Sequence, residues 1–148
     1  GGWEPPAVLD AIDRIIAEDR IDPERITGMG FSMGGMGTWE CAVDHPERFA
    51  AAVPIGGRGA RAGDCAVLAG RVPVWAFNGD ADTTTTLADA ERIVSALKAA
   101  GGDVRLAVLP GATHGDSQTA TFATPGLWDW VLARRCAASA STNAPPLR

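Results

Sequence analysis

Gly30-Phe31-Ser32-Met33-Gly34 constrains this chain more than any other stretch. The pattern G-x-S-x-G is common by chance, so its setting has to carry the argument. Upstream, Ile26-Thr27-Gly28-Met29-Gly30-Phe31 is an apolar run of strand length. Downstream, Met36, Trp39 and Val43 recur at helical spacing until His45-Pro46 stops the run. Strand, serine, helix is the order in which a sharp turn throws a serine hydroxyl clear of the backbone, at a helix N-terminus that favours negative charge. The turn needs small residues beside the serine, and the two glycines supply them. Ser32 is the candidate nucleophile, and an α/β fold is expected.

The remaining periodicity agrees with that class. Val8, Leu9, Ile12, Ile15 and Ile16 form an apolar helix face opposite Asp10, Asp13, Arg14 and Glu18, with Pro5 and Pro6 suited to its first turn. Residues 51–55, 72–77 and 104–109 read as further strands. Leu87, Ala90, Ile93, Val94 and Leu97 mark a helix with Thr86 as its N-cap and Gly101-Gly102 as its stop. Leu127, Trp130, Val131 and Leu132 mark a closing helix, and residues 56–71 a glycine-rich loop with one short helical turn around Val67. Strands alternating with helices predict right-handed β-α-β units and a parallel sheet of four strands flanked by helices. Residues 1–136 are expected to form one catalytic domain. Residues 137–148, small and proline-rich, are expected to be a disordered tail.

A serine hydroxyl needs a base within hydrogen-bond reach, and the chain has only two histidines. His45 falls at the C-terminal end of the helix that follows Ser32, a helix length away. His114 lies in the loop Pro110-Gly111-Ala112-Thr113-His114-Gly115, after the strand 104–109. In a parallel α/β protein that is the end of the sheet where chemistry collects, so His114 is the expected base. A carboxylate must then orient the imidazole. Asp80 and Asp82 follow the strand 72–77, and Asp116 follows His114. Chain order Ser-Asp-His favours the first pair. Asp80, directly in the Asn78-Gly79-Asp80 turn, is suited to accepting backbone N–H bonds, which leans the choice toward Asp82.

The chain resembles α/β-hydrolases of the carboxylesterase, phospholipase and dienelactone-hydrolase-like group, including bacterial esterases labelled as predicted peptidases. The likeness runs through Asp22-Pro23-Glu24-Arg25-Ile26, Gly30 to Trp39, His45-Pro46-Glu47-Arg48-Phe49, Ala51 to Ile55, Val72 to Phe77 and Gly79-Asp80-Ala81-Asp82 to His114. It implies an α/β-hydrolase fold in which the later aspartate of the G-x-x-D turn, Asp82, is the acid. Position 78, often histidine in such relatives, is Asn78 here. The resemblance also implies strands ahead of the elbow that this stretch of sequence lacks, together with a loop that donates the second oxyanion-hole N–H. From this chain only the N–H of Met33 can be assigned to the oxyanion hole. The strand 26–31 is then expected to be paired on one side only, by 51–55. Its open edge predicts a homodimer, or a missing N-terminal segment that closes it.

The expected activity is that of a serine hydrolase cleaving small-molecule carboxylic esters through Ser32, His114, Asp82 and an acyl-enzyme, without cofactor or metal. A prolyl-oligopeptidase-type peptidase shares the triad order, and an inactive half-domain that needs a partner segment is the non-enzymatic alternative. A net charge of −5 with mixed signs and no basic run argues against nucleic acid. No run of about 18 apolar residues argues for a membrane span. Three cysteines, Cys41, Cys65 and Cys136, are an odd count without zinc spacing. Cys41 is expected to be buried; Cys65 could pair with either of the others, but a plain structural role is expected for all three and none sits as a nucleophile would. Trp39, Trp75 and Trp128 are expected to be core or helix-packing residues rather than a substrate pocket.

Overall fold

Apolar side chains alternate along four short strands, so the sheet they form has a core on each face. The computed structural model describes residues 5–59 and 63–137. In chain order the elements are α1 (Pro5–Glu18), β1 (Thr27–Phe31), α2 (Met33–Asp44), β2 (Ala51–Ile55), β3 (Val74–Gly79), α3 (Leu87–Ala99), β4 (Val104–Leu109), α4 (His114–Phe122) and α5 (Leu127–Leu132). Short 3-10 turns cover Pro23–Arg25, Pro46–Arg48 and Asp64–Leu68. The last of these supplies the helical turn expected around Val67.

The sheet is wholly parallel, in the order β1-β2-β3-β4. Thr27 to Phe31 pair with Ala51 to Ile55, and Val74 to Gly79 with Val104 to Leu109. Strand β2 is buried throughout, whereas β1, at the edge, is half-buried along its length. β3 begins two residues later than its apolar run and takes in Asn78 and Gly79, so Asp80 is the first residue beyond it.

On one face Ala52, Val74, Ala76 and Val104 pack beneath Leu9 of α1, Trp39, Cys41 and Ala42 of α2, and Ile93, Val94 and Leu97 of α3. On the other, Val53, Ile55, Phe77 and Leu109 pack beneath Leu127 and Trp130 of α5, with Ala120 of α4 at the margin. Each fully buried aliphatic or aromatic side chain of this kind stabilises the fold by about 1.5–3 kcal/mol. Trp75 joins the second core, its ring 5.3 Å from Phe77 and 5.5 Å from Trp130.

Several expectations need correction. Ile15 points outward, 51% exposed, because Val8, Leu9 and Ile12 already fill the stripe of α1 that meets the core. Trp128 is half-exposed and belongs to neither core, and of the two roles expected for it only helix packing is seen. Its ring lies 5.9 Å from Phe122 and its indole N–H donates to the Phe122 carbonyl, which pins the corner between α4 and α5. The face that α2 buries is made mainly of Gly35, Gly37, Thr38, Trp39, Cys41 and Ala42, while Met36 and Val43 are half-buried. Cys41 and Cys136 carry free thiols, so neither pairing with Cys65 is formed. Burial raises the pKa of Cys65 to about 11, and burial also raises Cys41, helped by Asp44 and Glu40. The expected tail beyond Ala137 lies outside the described residues. Residues 135 and 136 are held to the turn before β1. Arg135 pairs with Glu24 at 3.0 Å and Asp22 at 3.2 Å, and the Cys136 N–H donates to the Glu24 carbonyl at 2.7 Å.

Candidate active site

All three side chains singled out for chemistry sit beyond the C-terminal ends of strands. Ser32 follows β1 directly and is the N-cap of α2. It is the only described residue other than glycine with a positive φ, at 55° with ψ −115°. That conformation costs of order 1–3 kcal/mol and persists only where the surroundings enforce it. Here the Ser32 N–H donates to the Ile55 carbonyl at 2.9 Å, and its own carbonyl accepts the Met36 N–H at 3.0 Å, so both sides of the turn are tied.

The two motif glycines are not equivalent. A Cβ built on Gly30 would lie 2.2 Å from the Gly34 carbonyl oxygen, an overlap with backbone that no rotamer relieves. A Cβ on Gly34 meets nothing within 4 Å. Gly30→Ala is therefore expected to destabilise the chain by about 3 kcal/mol. Gly34→Ala, inside the first turn of α2, is expected to add about 1 kcal/mol of helix propensity. Thermal melts of the two variants check both signs.

Ser32 Oγ lies 2.8 Å from His114 Nε2, and His114 Nδ1 lies 2.7 Å from Asp82 Oδ2. With Nδ1–H facing a carboxylate, the neutral ring presents Nε2 as an acceptor toward the serine hydroxyl. The Asp82 side chain is fully buried and the His114 side chain 22% exposed, so the line runs from a dry interior toward the surface. Burial by itself would raise the Asp82 pKa. Hydrogen bonds from His114, from the Thr85 N–H and hydroxyl and from the Thr84 N–H outweigh it and hold the carboxyl below its ordinary value. The Phe31 ring rests against the imidazole with centroids 4.8 Å apart.

The other candidates are elsewhere. Asp80 accepts the Gly111 N–H at 2.7 Å and ties the loop after β3 to the loop after β4. Asp116 accepts from both the N–H and the hydroxyl of Thr113, which lowers its pKa. His45 caps the far end of α2 through its backbone N–H, and its ring lies 3.7 Å from Glu47. Met33, the residue proposed for the oxyanion, is 62% exposed beside the serine. Among the described residues, no group of three His, Cys, Asp or Glu side chains could hold a metal ion. No helix among them is long and apolar enough to cross a membrane.

Two features escaped the sequence reading. His114 is not a loop residue but the first residue of α4, whose N-terminus Thr113 and Asp116 close as a capping box. The helix was hidden because it has no apolar period. Its buried positions are Ser117 and Thr121, whose hydroxyls bond back to the carbonyls of Thr113 and Ser117. The Thr113-x-x-Asp116 spacing was the available signal. The second feature is Thr85, buried against Asp82 and His114 and one of four consecutive threonines that carry no distinguishing pattern.

Residues 6–123 match the profile of the dienelactone hydrolase family. NocK of Nocardia uniformis subsp. tsuyamanensis, provisionally assigned as an esterase, is 26% identical over 84% of this chain. The crystal structure of a thermostable esterase superposes with a TM-score of 0.80 at 29% identity over 87% of the chain. SOBER1 of Arabidopsis thaliana shares the fold, with a TM-score of 0.68 at 20% identity over 86% of this chain and 60% of its own. The chain spans 45% of the length of NocK and 36% of that of the thermostable esterase.

Proposed function

This chain belongs to the dienelactone hydrolase family, and from that premise we propose that it is a serine hydrolase of carboxylic esters working through Ser32, His114 and Asp82. The observation that supports this most is the unbroken line from Ser32 Oγ through the imidazole to the buried Asp82 carboxylate, at 2.8 and 2.7 Å. Ser32 Oγ attacks the ester carbonyl carbon while its proton passes to His114 Nε2. The carbonyl oxygen takes up the negative charge, toward the Met33 N–H at the head of α2. When the tetrahedral intermediate collapses, the C–O bond to the alcohol breaks and Nε2 returns the proton to the departing oxygen. Water then attacks the acyl-serine by the same route, giving its proton to His114 and releasing the acid. Asp82 keeps the Nδ1 proton in place and stabilises the imidazolium that forms twice in the cycle. One oxyanion donor contributes about 10²–10³ in rate, so the Met33 N–H accounts for only part of what such a site can deliver.

A fluorophosphonate probe tests this on the purified chain. Covalent labelling at Ser32, slowed while an excess of a short p-nitrophenyl ester is present, is the expected result. Labelling at another residue, or cleavage of peptide bonds without cleavage of esters, would overturn it.

A further inference from the structure

Thr85 is 3% exposed, and its hydroxyl meets three groups at once. Oγ1 lies 2.8 Å from Asp82 Oδ2, 2.8 Å from the Gly56 carbonyl oxygen and 3.2 Å from His114 Nδ1. A hydroxyl has one proton, and the Nδ1 proton is already directed to Asp82. The Thr85 proton is therefore divided between a carboxylate and a backbone carbonyl. The residue cannot turn away from this choice. Its N–H donates to Asp82 Oδ1 at 2.9 Å, and its carbonyl accepts the Asn78 side-chain amide at 3.0 Å. Gly56 stands at φ +50°, a conformation that strains other residues. A Cβ there would sit 3.4–3.6 Å from Thr85 Oγ1, Asp82 Oδ2 and His114 Cε1.

We propose that Thr85 is a positioning residue of the site, acting through Asp82: by sharing its proton between Oδ2 and the Gly56 carbonyl, it fixes the carboxylate and limits how much of its charge His114 receives. The proposal rests on the triad reading above. A hydrogen bond donated to a carboxylate spreads its charge and makes it a weaker acceptor for a second donor. Without the hydroxyl, Asp82 Oδ2 faces the imidazole alone and the Gly56 carbonyl loses its donor. The first change favours imidazolium, so less of His114 stands in its basic form near neutral pH. Other charges do not compete. Of the elements packed against α4, β2 and β3 carry no titratable side chain, and on β4 Arg105 lies over the Trp75 ring. Asp80 is bonded to the Gly111 N–H, Asp116 to Thr113 and Asp89 to Thr86.

Thr85→Val keeps the shape and removes the hydroxyl, whereas Thr85→Ser keeps the hydroxyl. The whole chain has two imidazoles, so proton NMR can follow His114 with His45 as an internal reference. In Thr85→Val the His114 titration midpoint is expected to rise by about half a pH unit, a fraction of one charge-assisted hydrogen bond. The acid limb of kcat/KM should move the same way, Thr85→Ser should restore both, and His45 should not respond. An unmoved or lowered midpoint in a folded Thr85→Val chain that still hydrolyses ester would overturn this proposal and leave the triad reading standing. An unaltered chain that neither turns over ester nor labels at Ser32 would overturn the triad reading and this proposal with it. If Thr85→Val does not fold, the unaltered chain decides. A slowly exchanging Thr85 hydroxyl proton in contact with the His114 ring supports the role, and one that exchanges freely with water refutes it.

Discussion

Replacing either Ser32 or His114 with alanine is expected to lower turnover of a short p-nitrophenyl ester by about 10⁶-fold, to the background rate. On the proposed mechanism each side chain depends on the other. Ser32 without Nε2 at 2.8 Å keeps its proton, and His114 without Ser32 has nothing to activate. The Ser32→Ala/His114→Ala double variant should therefore be no slower than either single one. His45→Ala provides the control. Its ring is at the opposite end of α2, 12 residues long and so about 18 Å away along the helix, beside Glu47. That variant should keep most of its turnover. The rates are to be measured on chains shown to be folded by circular dichroism. A dead His45→Ala beside an active His114→Ala would reverse the assignment of the base.

The second large effect is expected at Asp82. In Asp82→Asn the Thr84 and Thr85 N–H groups, at 2.8 and 2.9 Å, can keep their acceptor in the amide oxygen. That leaves the amide nitrogen facing His114 Nδ1. Two donors cannot share that contact, so the imidazole must carry its proton on Nε2, where it can no longer accept from Ser32. Turnover should fall by about 10⁴-fold. Asp80→Asn keeps an acceptor for the Gly111 N–H, so it should cost at most about 1 kcal/mol of stability, with turnover near that of the parent. The two variants also separate in acid. A carboxyl whose pKa is lowered on folding adds stability above its unfolded value and loses it as pH falls through the folded one. Asp82→Asn should remove that part of the acid dependence, which is seen as a flatter loss of melting temperature below about pH 4.

The strands and the two long amphipathic helices were legible because each buries a face, and burial writes its period into the residue pattern. Ser32 was legible for a different reason. The turn that holds it at φ 55° leaves no room for a side chain at Gly30, and that demand surfaces in the motif. What stayed hidden was polar. Helix α4 buries hydroxyls that satisfy themselves on its own backbone, so no apolar stripe announces it. Thr85 is one of four consecutive threonines, 83 to 86, and nothing in the run distinguishes it from its neighbours. Two of that hydroxyl's three partners, the Gly56 carbonyl and His114 Nδ1, arrive from 29 residues away on either side in the chain. Choosing Asp82 over Asp80 needed the family likeness for the same reason. Which carboxylate turns inward depends on the loop after β4, and local sequence does not encode that distance.

Ser32 leaves the sheet at one edge strand, His114 follows the other, and Asp82 comes from a strand between them. Three pairings, β1–β2, β2–β3 and β3–β4, therefore lie between the ends of a contact only 2.8 Å long. A slip of one residue in any of them moves a strand by about 3.3 Å and turns its side chains to the opposite face. The hydroxyl-to-imidazole contact thus works as a vernier for the whole sheet, closing only when all three registers are correct at once. Spectra that report helix content would barely notice such a slip. On the proposed function a stoichiometric serine titrant would count it, so in a refolded preparation the reactive fraction is expected to measure how many molecules have assembled every strand in place.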